Sequence, residues 1–218
     1  MPLQHRSNLI QIKLPPPQIK GKVSLEETIA QRRSVRRYRA ESLTLQQLSQ
    51  ILWSAQGITG AGRHRAAPSA GATYPLEIFA FVGKQSIFAS EATQPEEELQ
   101  AGIYHYDVDR HSLVLHQPGD LRRELAGAAL DQGFIADAPL DIVICAIYPR
   151  TSYRYGRRGE RYIHMEVGHV GENIHLQAVA LGLATVEVGA FDDEEVRKVL
   201  AVEEQIKPLY IMPIGKPR

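Results

Sequence analysis

The sequence predicts an α+β fold, in which helices pack against a mostly antiparallel sheet and around one long buried helix. Helical and strand patterns are mixed along the chain, without the regular strand–helix alternation that builds a parallel sheet. Residues 102–107 (GIYHYD) and 112–116 (SLVLH) alternate apolar and polar side chains around a turn with Asp109, which is typical of an antiparallel hairpin. Residues 161–181 are apolar on nearly every helical face, as in a helix that lies inside a core.

The first 22 residues are expected to form an extended arm, because the prolines of LPPP cannot continue a helix. Apolar side chains favour packing of this arm against the rest of the chain, and they are Leu9, Ile10, Ile12 and Leu14. No Gly/Ser/Pro-rich linker divides the middle of the sequence, so we expect a single domain over residues 1–218.

Two capping boxes mark the first two helices. Ser24 with Glu27, and Thr44 with Gln47, place a hydroxyl at the N-cap and an acid or amide three residues later. A long polar loop with several glycines follows over residues 57–75, and loops of this length in compact domains tend to carry function.

The middle of the chain supplies two further strands. Residues 76–82 (LEIFAFV) are expected to form a strand, and the continuous apolar run 140–148 (LDIVICAIY) is expected to be a central one. The acidic segment 85–100 is expected to be an exposed excursion. Asp120 is expected to cap a helix that contains Leu121, Leu125 and Leu130.

The long helix has apolar residues at steps of three and four, which are Val167, Val170, Ile174, Ala178 and Leu181. Gly182 is expected to end it, because glycine takes a positive φ without a Cβ clash. A short apolar strand follows, and Asp192 with Glu195 forms a capping box for a helix over residues 192–200. Residues 208–218 are expected to close the chain as a strand with a basic end.

The overall composition excludes several classes of protein. The 218 residues carry 25 basic and 25 acidic side chains, and this balance argues against a nucleic-acid binder, which needs a basic face. Cys145 is the only cysteine, so no disulfide forms within the chain and a reducing, cytoplasmic setting is expected. The N-terminus has no apolar signal region, and no apolar run is long enough to span a membrane.

The stretch RRSVRR is the first candidate site. Three arginines and a hydroxyl in a short span can hold a phosphate through charge-assisted hydrogen bonds, and they are Arg32, Arg33, Ser34 and Arg36. Lys216 and Arg218, at the far end of the chain, could join them. The alternative is a solvated basic face.

The stretch APSAGATYP is the second candidate site. Gly71, between the small residues Ala70 and Ala72, would let a ligand approach backbone N–H groups, and Ser69 adds a hydroxyl. The alternative is a plain turn before a strand.

Two further groups carry titratable or charged side chains. Arginines interleaved with tyrosines could stack on a substrate or bind an anion, or could form a salt-bridged surface; they are Arg150, Tyr153, Arg154, Tyr155, Arg157, Arg158, Arg161 and Tyr162. His169, Glu172 and His175 lie on the long helix, but no HExxH motif and no second ligand pair accompany them. We therefore expect hydrogen-bonded polar groups there and no metal site.

Taken together, these stretches resemble the FMN-dependent nitroreductase family, and within it the SagB-type branch that includes azoline dehydrogenases of peptide thiazole/oxazole biosynthesis. The similarity covers nearly the whole chain. It rests on LPPP, RRSVRRY, LSQILWSAQGIT, RAAPSAGATYPLEIF, GIYHYD, YGRRGERY, GHVGENIHLQAVALGLATVEVGAFDDEEV and PLYIMPIGKP.

The resemblance implies an α+β homodimer that binds FMN at its subunit interface and accepts electrons from NAD(P)H. It implies that the ribityl phosphate is held by Arg32, Arg33, Ser34, Arg36, Lys216 and Arg218. A loop from the other subunit would lie along the ribityl chain and flavin, and its residues are Pro68, Ser69, Ala70 and Gly71. The flavin N5 would be approached by Val188, Gly189 and Ala190.

One position departs from the azoline dehydrogenases of this branch, which use a lysine–tyrosine pair just before the long helix. The matching residues here are Arg154 and Tyr155, and they are the candidate catalytic residues. Arginine stays charged at any ordinary pH and cannot act as a general base, which argues against azoline oxidation but leaves the FMN site intact. Tyr155 is expected either to donate a proton or to serve a structural role.

Three functions follow as hypotheses. The first is an NAD(P)H-driven flavin oxidoreductase that reduces a nitroaromatic, a quinone or another small acceptor by ping-pong turnover. The second is an FMN-dependent dehydrogenase of a peptide or natural-product intermediate. The third is a non-catalytic FMN-binding protein.

Overall fold

A computed structural model describes residues 10–60, 62–90 and 98–218 of the chain. The strands are β1 (Gln11–Lys13), β2 (Leu43–Thr44), β3 (Leu76–Val82), β4 (Ile87–Phe88), β5 (Gly102–Asp107), β6 (Ser112–Pro118), β7 (Leu140–Ile147), β8 (Ala184–Thr185) and β9 (Ile206–Gly215). The helices are α1 (Leu25–Gln31), α2 (Leu45–Gln56), α3 (Arg122–Ala128), α4 (Gly133–Asp137), α5 (Pro149–Tyr155), α6 (Arg158–Ala180) and α7 (Asp193–Leu200). A short 3₁₀ turn lies at Ala70–Ala72.

One large sheet forms the centre of the fold, with the strand order β1-β6-β5-β3-β7-β9-β8 and antiparallel pairing throughout. The predicted hairpin is confirmed, since β5 pairs with β6 from Gly102 opposite Pro118 to Asp107 opposite Ser112. Strand β7 lies between β3 and β9, as its continuous apolar sequence predicts. The α+β class with a mostly antiparallel sheet is therefore confirmed.

Helices cover both faces of this sheet, because side chains of β7 point alternately to opposite sides. Ile142 and Ile144 belong to the core beneath α2 and α6. Val143 and Cys145 face the second core, which α3, α4 and α7 cover. Burial of the Cys145 thiol in this layer raises its pKa far above the usual range, which makes it an unreactive packing residue.

The long helix is α6, and its apolar stripe packs into the main core through Ile163, Val167, Val170, Ile174 and Ala178. Gly182 follows it with a φ of 70°, as predicted for a terminating glycine. The opposite face is exposed at Met165, Gly168, His169 and Glu172, and Met165 is 54% exposed. Helix α6 therefore has one core face and one exposed face.

The two N-terminal capping boxes are confirmed at Ser24 and Thr44, whose hydroxyls accept from the backbone N–H three residues later. The arm packs against the fold as predicted through β1, which pairs with β6, and through Leu14, which is buried. The prediction was wrong for Ile10, whose side chain is 52% exposed. Leu9, which was expected to contribute, lies outside the described residues.

The helix predicted to follow Asp120 was wrong at both ends. Helix α3 begins at Arg122 with Leu121, not Asp120, at its N-cap position. The Asp120 carboxylate binds the Arg122 guanidinium at 2.7 Å and also accepts from the backbone N–H of Lys84 and, at 3.4 Å, of Arg122. The helix ends at Ala128, and Leu130 lies beyond it with a φ of 58°.

The acidic segment 85–100 is only partly the exposed excursion that was expected. Ile87 and Leu99 are buried, and β4 pairs in parallel with β2. Residues 91–97 lie outside the described part of the chain. The prediction was therefore wrong for residues 85–90 and 98–100. Ile87 and Leu99 are isolated among polar neighbours, so the sequence shows no apolar repeat there that would indicate burial.

Candidate functional site

The basic residues from both ends of the sequence lie side by side. After α1, the chain runs along β8, where Val35 N–H donates to Thr185 O at 3.0 Å. It then meets the last residues, where Arg39 N–H donates to Lys216 O at 2.9 Å and Arg218 N–H donates to Arg37 O at 3.2 Å. We name the resulting group the basic cluster, which consists of Arg32, Arg33, Ser34, Arg36, Lys216 and Arg218.

Much of the positive charge in the basic cluster is not neutralised. Within the described part of the chain, Arg32, Arg36 and Arg218 have no carboxylate within 4.0 Å. Arg33 instead donates to the carbonyl of Ala30 at 3.1 Å, at the end of α1. Lys216 is paired with Glu41 at 2.9 Å, so its ammonium is available to another anion only if this exposed pair opens.

A buried hydroxyl beside the basic cluster lacks a hydrogen-bond partner. Thr185 is fully buried, and its Oγ1 has no partner among the described residues. Its backbone forms a parallel β-bridge with Ser34, whose own side chain is exposed. Buried polar groups without partners are uncommon in folded proteins, so this edge of the cluster has unused hydrogen-bonding capacity.

His175 connects the basic cluster to the segment after β8. Its Nε2 lies 3.1 Å from Arg33 O and its Nδ1 lies 2.8 Å from a carboxylate oxygen of Glu187. Both partners are hydrogen-bond acceptors, so the ring is held between a backbone carbonyl and a carboxylate. Burial raises the pKa of Glu187, but the hydrogen bond and charge of His175, together with Arg32, bring that pKa below its usual value.

The predicted polar groups of α6 differ in their surroundings. His175 is the buried, hydrogen-bonded residue that was expected, whereas His169 and Glu172 are exposed and that expectation was wrong for them. Both face solvent because they lie opposite the apolar stripe of the helix. The ligand atoms of Glu172, His175 and Glu187 all lie within 4.8 Å of one another.

The residues predicted to approach the flavin N5 follow on the same side of the fold. Val188 is buried and pairs with Ile211 through two backbone hydrogen bonds of 2.9 and 3.0 Å. Gly189 and Ala190 are exposed, and a Cβ at Gly189 would meet the Tyr210 ring at 3.6 Å. The backbone at Gly189 is therefore open to close approach by a ligand.

The second candidate stretch forms a tight turn, which we name the serine loop and define as Pro68, Ser69, Ala70 and Gly71. Ser69 Oγ accepts from the backbone N–H of Tyr74 at 2.9 Å. Gly71 has a φ of 61°, and the following Ala72 and Tyr74 also have positive φ. Non-glycine residues in this region are strained, and such strain is concentrated at binding and catalytic sites.

Both candidate catalytic residues contact the serine loop. Arg154 Nη1 donates to the carbonyl of Gly71 at 3.1 Å. A Cβ at Gly71 would lie 2.5 Å from the Tyr155 hydroxyl and 2.8 Å from Arg154 Nη1, so a larger residue there would displace the ends of both side chains. The Tyr155 ring meets Tyr162 edge to face, with centroids 5.1 Å apart. Helix α5 thus positions Arg154 and Tyr155 on the loop.

A buried carboxyl that the sequence did not predict lies beneath the serine loop. Glu166 is 3% exposed, its Oε1 has no hydrogen-bond partner, and the neighbouring Gln56 has an unpartnered Nε2. Burial raises the pKa of Glu166 to about 7, although Ser69, Arg65 and Gln56 oppose this rise. The available signal was its helical position, because an acid one turn before Val170 lies close to the core stripe.

The candidate residues fall into two groups that lie on opposite sides of α6. The first group is the basic cluster with residues 188–190, and the second is the serine loop with Arg154 and Tyr155. Glu166 lies beside the second group and His175 beside the first, nine residues apart on α6. That separation is about 14 Å along the axis and about two and a half turns, so the two side chains leave opposite sides of the helix.

The comparisons with known proteins agree on one family. The profile of the nitroreductase family matches residues 29–216. A Methanocaldococcus jannaschii protein named as a nitroreductase is 47% identical over 194 residues, covering 89% of this chain and 91% of that protein. The microcin B17-processing protein McbC of Escherichia coli is 27% identical over 154 residues, which span 68% of this chain and 53% of McbC.

Solved structures show the same fold. A structure from Ralstonia eutropha, described as a nitroreductase, superposes with a TM-score of 0.80 and 28% identity, covering 95% of this chain and 90% of that one. The NADPH:FMN oxidoreductase of Vibrio harveyi has a TM-score of 0.60 at 21% identity and covers 88% and 68% of the two chains. None of the helices in the described residues is long and apolar enough to cross a membrane. From the profile match and the archaeal relative, this chain belongs to the nitroreductase family of oxidoreductases.

Proposed function

We propose that this protein is an FMN-dependent oxidoreductase that works as a homodimer. In this proposal, FMN binds between the basic cluster of one subunit and the serine loop of the other. The single observation that carries the proposal is the separation of the two groups, which lie on opposite sides of α6 and about 14 Å apart along its axis.

The basic cluster has the chemistry that a ribityl phosphate needs. Arg32, Arg36 and Arg218 have no carboxylate partner among the described residues, so a phosphate would supply the missing negative charge. The Ser34 hydroxyl is exposed beside them. Thr185 Oγ1 is buried and unpartnered at the same edge, which fits a site with an additional polar ligand atom.

The exposed face of α6 supports the homodimer. Met165 projects from it, and a Cβ at Gly168 would meet no atom within 4 Å, so another helix could approach closely there. Gly171, by contrast, faces Glu187 and Tyr210 of its own chain at 3.5 Å. The basic cluster and the serine loop lie on either side of α6. A second copy bound to the exposed face of α6 would therefore lie close to both.

FMN, when bound, supplies the hydride chemistry, and the protein supplies binding, orientation and protons. The open backbone at Gly189 would allow the flavin edge to approach the N–H groups of Gly189 and Ala190, which bond to no backbone carbonyl within the described residues. On the other side, Tyr155 would hold a proton at its hydroxyl next to the serine loop. Arg154 would hold the loop through the Gly71 carbonyl and remain a cation.

For the substrates, we propose NAD(P)H as the donor and a nitroaromatic, a quinone or a similar small molecule as the acceptor. The names of the archaeal relative and the Vibrio harveyi oxidoreductase support this choice. A second candidate is oxidation of a peptide or natural-product intermediate, which the similarity to McbC favours. Arg154 weighs against this second candidate, because a permanently charged guanidinium cannot accept the proton that the chemistry requires.

The first test is anaerobic titration of the FMN-loaded protein with NADH and with NADPH, followed by absorbance. We expect bleaching of the flavin band with at least one donor and its return when a quinone is added. A flavin that stays oxidised with both donors would contradict the oxidoreductase proposal as stated.

The dimer is tested separately by size-exclusion chromatography with light scattering. We expect the wild-type protein to elute as a dimer and Gly168→Leu to elute as a monomer that has lost FMN. Gly127→Leu is the matched control, because a Cβ at Gly127 in α3 also meets open space. Dimeric Gly168→Leu protein with full flavin occupancy would contradict the proposed interface.

A further inference from the structure

We propose that Glu166 is a positioning residue that decides whether the Ser69 hydroxyl donates a hydrogen bond to a ligand at the serine loop. The inference rests on the proposed function, since the ligand in question is the flavin nucleotide. It follows from two complementary polar atoms that are buried and unpartnered beneath that loop, and from the number of hydrogen bonds that Ser69 can make.

The two atoms are Glu166 Oε1 and Gln56 Nε2. The other end of the Gln56 amide is fixed, because Gln56 Oε1 accepts from Arg65 Nη1 at 2.9 Å. Arg65 is in turn held over the Tyr74 ring, with its guanidinium carbon 4.2 Å from the ring centroid. The Gln56 amide nitrogen is therefore a fixed donor that approaches the Glu166 carboxyl without a direct hydrogen bond in this structure. Because this N–H₂ group can only donate, the carboxyl oxygen nearest to it can only serve as an acceptor, and a proton on Glu166 belongs on the other oxygen.

The other side-chain neighbour of the Glu166 carboxyl is Ser69, which acts to lower the pKa of that carboxyl. The Ser69 oxygen already accepts from Tyr74 N–H at 2.9 Å, and a hydroxyl can accept twice and donate once. If Glu166 is protonated, its O–H fills the second acceptor position of Ser69, and the Ser69 hydrogen is free to point at a ligand. If Glu166 is ionised, it can only accept, so the Ser69 hydrogen turns inward and the ligand loses a donor.

The surroundings of Glu166 place this change in the neutral range. Burial raises the pKa of the carboxyl to about 7, against the opposing influence of Ser69, Arg65 and Gln56. From the neighbouring elements, α2 contributes the neutral Gln56, the 57–75 loop contributes the charged Arg65, and α5 brings Arg154 and Tyr155 to the same loop at Gly71. On α6 itself, Tyr162 and His169 lie one turn from Glu166.

The test is the pH dependence of FMN affinity, measured by fluorescence titration of the flavin-free protein between pH 5.5 and 8.5. The FMN phosphate itself titrates in this pH range. Its effect is the same for every variant, so it cancels when the affinities of two variants are compared at the same pH. We expect wild-type affinity, relative to Glu166→Gln, to fall by between about twofold and tenfold as pH rises through 7, the effect of losing one hydrogen bond. Glu166→Gln should keep the low-pH affinity, because its amide N–H₂ donates permanently to Ser69.

Two further variants separate this role from a structural one. Ser69→Ala should bind FMN weakly at every pH. In that background, the further substitution Glu166→Gln should leave the FMN affinity unchanged. Glu160→Gln, an exposed acid on the same helix, should follow the wild-type profile. Coincident profiles of Glu166→Gln and wild type would overturn the inference and leave the proposed function standing. A protein that binds no FMN at any pH would overturn the proposed function and this inference together.

Discussion

The backbone N–H of Arg39 donates to the carbonyl of Lys216 across 2.9 Å, and this bond joins segments from opposite ends of the sequence. Because Arg218 N–H returns a bond to Arg37 O, the C-terminal residues form a short pairing with the segment after α1. The basic cluster is therefore assembled by backbone pairing, and the side chains of Arg32, Arg36 and Arg218 have no carboxylate partner among the described residues.

The first prediction concerns the phosphate. Arg32→Ala and Arg36→Ala should each weaken FMN binding by about 1.5–3 kcal/mol, the range for hydrogen bonds to charged groups. Isothermal titration of the flavin-free protein measures this loss, and Arg123→Ala, an exposed arginine on α3, is the control. Full flavin occupancy in the Arg32/Arg36 double variant would refute the assignment of the phosphate site.

The second prediction concerns the glycine of the serine loop. Gly71→Ala combines an unfavourable φ of 61° with a Cβ 2.5 Å from the Tyr155 hydroxyl. Gly182→Ala has a similar unfavourable φ of 70° but open space around its Cβ, so it isolates the backbone strain. Because the Tyr155 hydroxyl and the Arg154 guanidinium can move aside, Gly71→Ala should lower the unfolding free energy by about 1 kcal/mol more than Gly182→Ala does, the low end of the cost of overpacking. Equal losses in urea denaturation would mean that Tyr155 and Arg154 are not held against the loop.

The third prediction concerns stability against pH. The folded state raises the pKa of Glu166 from 4.5 to about 7, so it binds a proton that the unfolded chain releases. The unfolding free energy should therefore fall as pH rises from 4.5 to 7 and then level off. Relative to Glu166→Gln, the wild-type loss should reach about 3 kcal/mol. If the difference in unfolding free energy between the two proteins is the same at pH 5 and at pH 8, this prediction is wrong.

The fourth prediction concerns the proton at Tyr155. Tyr155→Phe keeps the ring that meets Tyr162 but removes the hydroxyl, so FMN occupancy should be unchanged. If the hydroxyl donates a proton to the acceptor, kcat should fall by about 10²-fold. Steady-state reduction of a quinone measures the change, with Tyr153→Phe as the control because Tyr153 is 97% exposed. An unchanged kcat would assign Tyr155 a structural role.

Local signals explain which elements the sequence predicts well. The capping boxes at Ser24 and Thr44 depend on residues three apart, and the period of α6 repeats over many turns, so both can be read directly. Asp120 was misassigned because the helix starts one residue later than expected, with Leu121 at the N-cap position. The Asp120 carboxylate binds the guanidinium of Arg122 as well as its backbone N–H, and sequence alone does not reveal this pair of contacts.

The candidate site also has some features that the sequence predicts and others that it does not. The composition of the basic cluster and the serine loop is visible in sequence, and the structure places Lys216 and Arg218 beside the segment after α1. The buried state of Glu166 is not visible, because it depends on Gln56 and Ser69 from distant parts of the chain. The separation of the two groups across α6 likewise emerges only from the fold.

The central claim is that each FMN site combines residues of two subunits, and a subunit-mixing experiment tests it most directly. In one variant, Arg32 and Arg36 are both replaced by alanine. A second variant carries Ala70→Trp in the serine loop. The homodimer of either variant should bind no FMN. After exchange of equal amounts, half of the dimers are mixed and each has one intact site, so flavin should occupy about a quarter of all sites. If a site is built within one subunit, the mixture will stay colourless, and that result would contradict the account.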